Sequence, residues 1–133
     1  TFAPTGVAWG LDNRTCALRV IGHGQSLRPE NRVPGGDVNP YLATSAIIAG
    51  GLYGVENELP MPDPLAGDAY SSDVEHLPTT LRDAARLFSE STIARAAFGD
   101  DMVEHYLNQA RIEVEAYDAA VTDWERVRGF ERL

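Results

Sequence analysis

Residues 13–42, NRTCALRVIGHGQSLRPENRVPGGDVNPYL, decide the fold because their character changes twice in 30 positions. Asn13 to Ile21 is rich in β-branched and apolar residues and predicts a strand. Gly22-His23-Gly24-Gln25-Ser26 predicts a turn, and Leu27 to Val33 a second short strand, so the pair reads as a hairpin with a long, glycine-containing loop. Pro34-Gly35-Gly36 then breaks the strand. Asn39 predicts a helix cap with Pro40 in the first position, where proline's missing N–H would have had no partner anyway. The helix expected from Pro40 to Tyr53 is apolar nearly all round (Leu42, Ala43, Ala46, Ile47, Ile48, Ala49, Leu52), and such a helix belongs inside a larger protein. Within it, Gly50-Gly51 would let another backbone pack close.

Working outward, residues 1–12 carry Pro4, Gly6 and Gly10 at loop spacing and predict an extended entry segment. Residues 57–79 hold Pro60, Pro62, Pro64 and Pro78 with little periodicity, a surface loop. Thr80 and Asp83 form a capping-box variant ahead of an amphipathic helix with Leu81, Ala84, Ala85, Leu87 and Phe88 on its apolar side. A short helix from Thr92 to Phe98 should end at Gly99. Asp100 or Asp101 is expected to cap a last helix running to Arg128. Its apolar positions Val103, Leu107, Ala110, Val114, Tyr117, Val121 and Trp124 alternate steps of four and three. That seam packs either against the chain's own helices or between subunits.

Composition narrows the partners. The net charge is −9, and all 11 basic residues are arginine. Residues 1–40 hold four arginines (Arg14, Arg19, Arg28, Arg32) against three acids (Asp12, Glu30, Asp37). The remaining 93 residues hold seven arginines against seventeen acids. Nucleic acid is excluded as a partner of such a chain as a whole, whereas a small anionic ligand held by the first forty residues fits. Arginine suits that task because its planar fork matches phosphate and carboxylate oxygens in pairs. The single Cys16 fits a reducing compartment. The chain begins at Thr1 with no charged segment followed by an apolar one, and its least polar stretch, Tyr41 to Val55, is too short to span a bilayer. A cytoplasmic protein without a signal peptide or membrane span is therefore expected.

Arg28, Glu30 and Arg32 stand at i, i+2 and i+4, which on a strand places all three on one face. A carboxylate between two guanidiniums has two readings. It is an ion-pair ladder that secures the strand, or an ionised ligand for a hard cation beside arginines that hold the anions the metal bridges. Arg14 and Arg19 favour the second, because four arginines on two short neighbouring strands repel one another unless anions neutralise them. Their odd spacing sets Arg14 and Arg19 on opposite faces of an ideal strand, so a bulge or twist is needed if both reach one ligand.

Asn13-Arg14-Thr15 with Arg19, then Arg28-Pro29-Glu30-Asn31-Arg32-Val33-Pro34, then Asp37-Val38-Asn39-Pro40-Tyr41-Leu42 and Ala49-Gly50-Gly51-Leu52-Tyr53-Gly54-Val55-Glu56 resemble the C-terminal half of the catalytic domain of the glutamine synthetase family. The match runs in order through most of residues 13–56, and the later helices resemble the family more loosely. It implies an α+β fold: an N-terminal β-hairpin from the catalytic sheet, followed by a mainly α-helical C-terminal region. Residues 1–133 would be a C-terminal portion of that domain, with strands and an active-site loop in 1–36 and the helical region in 37–133. The family forms ring-shaped homo-oligomers whose sheet closes partly between neighbouring subunits.

The resemblance also implies roles. Arg14 and Arg19 would contact the transferring phosphate and ATP, and Arg28 the nucleotide phosphates. Glu30 would be a ligand of the Mg²⁺ (or Mn²⁺) bound near ATP. Arg32 would hold the side-chain carboxylate of glutamate while it is phosphorylated, so that ammonia or another amine can displace phosphate. Arg14 and Arg32 are thus the catalytic candidates. Pro29 departs from the aliphatic residue usual in the family and, lacking an N–H, predicts a sheet edge or bulge. The remaining metal ligands, the glutamate α-group site and the amine pocket lie upstream in the family, so the chain is expected to carry half a site and no ligase activity alone. Val121-Thr122-Asp123-Trp124-Glu125-Arg126 with Phe130-Glu131-Arg132 resembles the branch containing γ-glutamylpolyamine synthetases. Tyr70, 40 residues after Glu30, falls where some members carry a regulatory tyrosine, but its surroundings Gly67 to Asp73 differ and it reads as an ordinary loop residue. The competing readings are a non-catalytic family member, against which the intact arginine and glutamate set argues, and a helical interaction module.

Overall fold

The computed structural model describes residues 3–130 and residue 132. Thr1 and Phe2 of the entry segment, and Glu131 within the tail motif, lie outside the described residues. The chain divides into two compact units after Leu77.

The first unit is built on a three-stranded sheet of β1 (Trp9–Leu11), β2 (Leu18–Ile21) and β3 (Arg28–Asn31), in that order. β2 and β3 form the expected antiparallel hairpin, with Arg19 opposite Glu30 and Val20 opposite Pro29. A 3₁₀ turn, Gly24–Ser26, fills the loop between them. The left-handed Gly22 (φ 87°) starts that loop, and a Cβ there would lie 2.2 Å from the Ser26 carbonyl oxygen. Pro29 sits on β3, at the sheet edge, as proline's missing donor requires.

The expected strand over Asn13 to Ile21 begins only at Leu18. Asn13 removes its first half. The Asn13 side chain accepts from Thr15 N (3.0 Å) and Thr15 Oγ1 (2.7 Å), a local turn that competes with the extended ladder. The entry segment instead supplies β1, which pairs parallel with β2, Gly10 opposite Arg19. Parallel neighbours ordinarily need a crossover of about a dozen residues. Here residues 12–17 suffice, because Asp12 adopts φ 48° and the Asn13 turn folds the chain straight back.

The proline-rich loop is ordered against the sheet. Leu65 N donates to Trp9 O (2.8 Å), Val7 N to Glu75 O (2.7 Å) and Leu77 N to Thr5 O (2.8 Å), so the returning chain covers the free edge of β1. Cys16 and Ala17, and Ala69 of the loop itself, are buried. Burial also pushes the Cys16 thiol pKa up. Tyr70 follows Asp68, whose side chain accepts from Tyr70 N (3.1 Å) in a turn of that loop.

α1 (Pro40–Glu56) starts where expected and runs three residues past Tyr53. Its cap is Asn39, whose side-chain oxygen accepts from Tyr41 N (3.0 Å) and Leu42 N (3.4 Å). None of its residues is buried: Tyr41 is 83% exposed and Val55 78%. Space around Gly50, Gly51 and Gly54 is open.

The second unit is helical: α2 (Leu81–Glu90), α3 (Thr92–Phe98), α4 (Asp100–Ala119) and α5 (Asp123–Phe130). Thr80 caps α2 as expected, its hydroxyl accepting from Asp83 N (3.1 Å) and donating to Asp83 Oδ2 (2.7 Å). α3 ends at Gly99 (φ 80°), which also precedes α4, so neither Asp100 nor Asp101 is the cap. The last helix is not continuous to Arg128. It breaks at Ala120 and restarts through a capping box in which Thr122 N donates to Glu125 Oε2 (2.8 Å). That Thr-x-x-Glu signal stands in the sequence within the expected helix. α4 packs on α2 and α3, with Val103 fully buried and Leu107, Ala110 and Val114 half-buried, and the seam emerges at Tyr117, Val121 and Trp124, each about two-thirds exposed. Among the described residues, no helix is long and apolar enough to cross a membrane.

Candidate active site

The hairpin register does what sequence spacing could not. It sets Arg19 on β2 directly opposite Glu30 on β3. Arg19 Nη1 donates to Glu30 Oε2 (3.2 Å), and Arg32 Nη1 donates to Glu30 Oε1 (2.8 Å), so each carboxylate oxygen receives one guanidinium N–H. The expected flank of Arg28 and Arg32 is corrected accordingly. Arg28 is exposed at the start of β3 and donates to the Ser26 carbonyl (3.1 Å), closing its own turn. The hydrogen bond from Arg32, with the charges of Arg19 and Arg32, holds the Glu30 carboxyl below its ordinary pKa against the desolvation that opposes it.

A residue that spacing did not single out completes the cluster. Asp12 Oδ1 accepts from Arg19 Nε (2.9 Å) and from Arg19 Nη2. Arg19 therefore bridges two carboxylates, with its side chain only 14% exposed. Its hydrogen bond and charge hold the Asp12 carboxyl below its ordinary pKa, and Asp12 in turn raises that of Arg19. Two acids and two arginines (Asp12, Glu30, Arg19, Arg32) thus neutralise one another. The sequence signal for Asp12 was its place beside the Asn13-Arg14-Thr15 motif, but strand parity is silent about a residue that ends one strand and leads into a turn.

Arg14 lies in that turn and not on β2, so the face problem raised by its spacing from Arg19 does not arise. It is exposed, and its charge adds to the lowering of the Asp12 pKa. The turn is anchored from below: Asn13 Nδ2 donates to Leu65 O (3.1 Å) and Gly67 O (2.7 Å), and Thr15 Oγ1 accepts from Ala69 N (2.9 Å). Arg14 and Arg28 are exposed cations, whereas Arg19 and Arg32 are partly buried in ion pairs.

Glu30 fits one position of a divalent-cation site. It is an ionised hard-oxygen donor whose side chain is 36% exposed, and its two oxygens keep lone pairs beyond the two that the arginines occupy. Among the described residues, no three His, Cys, Asp or Glu side chains converge as a metal site.

Residues 1–128 match the family model of the glutamine synthetase catalytic domain. The chain is 64% identical over 133 residues, all of its length, to a gamma-glutamylethanolamide synthetase of Streptomyces coelicolor. It is 42% identical over 135 residues (98% of the chain) to type-1 glutamine synthetase 2 of Dictyostelium discoideum, and 42% identical over 125 residues (91%) to a glutamate–isopropylamine ligase of a Pseudomonas species. It spans 29%, 26% and 27% of the lengths of these three relatives. An ordered set of arginine, glutamate and asparagine motifs, a hairpin that joins Arg19, Glu30 and Arg32, and a match over nearly the whole chain lead to one conclusion: this chain belongs to the glutamine synthetase catalytic-domain family.

Proposed function

We propose that the protein containing this chain is an ATP-dependent glutamate–amine ligase acting through a γ-glutamyl phosphate. The observation that carries this reading is the bridge from Arg19 through Glu30 to Arg32, an ionised, partly exposed carboxylate held between two guanidiniums on adjacent strands. Phosphoryl transfer is mostly positioning and charge stabilisation, and this is machinery of that kind.

In this reading Arg32 grips the γ-carboxylate of glutamate in the orientation that attacks the terminal phosphorus of ATP. Arg14 and Arg19 stabilise the negative charge on the transferring phosphoryl group, and Arg28 holds the nucleotide phosphates. Glu30 is the ligand of Mg²⁺ (or Mn²⁺), which when bound neutralises charge on the phosphate oxygens. An amine then attacks the acyl phosphate and inorganic phosphate leaves. Residues 1–133 would form the C-terminal portion of a larger catalytic domain, which covers the bare face of α1 and the open end of the α4 seam. The whole protein would be a cytoplasmic homo-oligomer.

The likeness to ligases named for ethanolamide and isopropylamine favours a small alkylamine as acceptor over ammonia. The full-length protein, given ATP, glutamate and Mg²⁺, should release phosphate when ethanolamine, isopropylamine, a polyamine or ammonia is added. Mass spectrometry of the γ-glutamyl product identifies the acceptor. Absence of amine-dependent phosphate release with every one of them would sink the ligase reading, and ammonia as the fastest acceptor would sink the alkylamine preference.

A further inference from the structure

Arg19 presents two edges, and they are engaged unequally. Its Nε and Nη2 both donate to Asp12 Oδ1, while only Nη1 reaches Glu30, at 3.2 Å, the longer of Glu30's two arginine contacts. A guanidinium facing a carboxylate with no competitor tends toward a two-pronged pair, which would occupy more of the carboxylate's lone pairs. Asp12 prevents this by taking the fork for itself.

We propose that Asp12 is a positioning residue that draws Arg19 off Glu30 and so leaves Glu30 able to ligate a divalent cation. The inference rests on the proposed role of Glu30. The geometry is local to the end of β1. Asp12 sits at φ 48°, a left-handed backbone that aspartate and asparagine tolerate better than most residues, and its N–H donates to Val20 O (2.9 Å), locking it beside β2. Its carboxylate, 76% exposed, meets the Nε and Nη2 edge of Arg19, whereas Glu30 meets Nη1. Without it, Arg19 has Glu30 as its remaining carboxylate partner.

The test uses the full-length protein and Mn²⁺ binding followed by electron paramagnetic resonance, with melting temperature measured on the same preparations. Asp12→Asn keeps the shape and the tolerated backbone but removes the charge. It should weaken the class of Mn²⁺ site that Glu30→Gln also weakens by roughly tenfold, the low end of what an outer partner of a metal ligand contributes, with the melting temperature nearly unchanged. In an Arg19→Gln background most of that effect should disappear, because there is no guanidinium left to redirect. An equal loss in both backgrounds would show Asp12 acting only as a distant charge and would overturn the proposal. So would wild-type Mn²⁺ affinity in Asp12→Asn while Glu30→Gln loses the site. If Glu30→Gln itself binds Mn²⁺ normally, the metal-ligand role of Glu30 falls first and takes this inference with it.

Discussion

Arg19 and Glu30 are register partners across β2 and β3, 11 residues apart in sequence and joined by a 3.2 Å hydrogen bond. The hairpin loop sets this pairing, and the pairing decides which arginines flank the carboxylate. Two catalytic predictions follow from treating Glu30 and Arg32 as parts of one device.

In the full-length protein, Glu30→Gln removes the charge but keeps the shape. Its turnover should fall on the order of a hundredfold, as when one preorganised electrostatic contact is lost. Steady-state rates and melting temperature measured together separate this from a purely structural ion pair, which would lower stability and leave the folded enzyme near normal turnover.

Arg32→Lys keeps the charge and loses the fork. Because a point charge cannot reproduce a two-pronged grip, turnover with glutamate should drop while nucleotide affinity stays nearly intact. A weaker affinity for ATP as the main defect would move Arg32 to the nucleotide.

The 133 residues expressed alone should release no phosphate from ATP with glutamate and an amine. Glu30 is proposed as one metal ligand, and no three metal-binding side chains converge among the described residues. Glutamate- and amine-dependent phosphate release by this chain would show that it holds a complete site.

Gly10→Ala tests the packing beneath the arginines. A Cβ at Gly10 would lie 2.7 Å from the Leu65 carbonyl oxygen, 2.9 Å from Asn13 Cβ and 3.2 Å from Cys16 Sγ. Backbone and a buried thiol cannot move aside easily, so the cost should be about 1–3 kcal/mol, typical of overpacking, seen as a lower denaturant midpoint. An unchanged midpoint would mean that the loop at Leu65 gives way freely.

Asn39→Ala removes the acceptor for Tyr41 N and Leu42 N at the start of α1. A loss of about 1 kcal/mol is expected for such a cap, again read from the denaturant midpoint, with Asn39→Asp close to wild type. Equal losses in both variants would point to a role for the amide other than capping.

Much of this protein was legible because its signals are local. Asn39-Pro40 marks a helix start through one side chain that accepts from Tyr41 N and Leu42 N, and Thr80 accepts likewise from Asp83 N, so both helices begin where sequence placed them. The hairpin was legible from its glycine loop between two expected strands, and residue type and order made Arg14, Arg19, Arg28, Glu30 and Arg32 the candidates for the site. Local signals also misled. Asn13 reads as the first residue of a strand, yet its side chain closes a turn with Thr15 and ties residues 65 and 67 to the sheet. The break at Ala120 was written in Thr122 and Glu125 but hidden by the apolar period running across it. Tertiary structure alone decided which groups meet. Pairing register is a property of two strands, so only the folded hairpin could give Glu30 to Arg19 and leave Arg28 with its own turn. Only the short parallel return of β1 could bring Asp12 to Arg19, because no sequence period relates a residue ending one strand to one in the middle of the next.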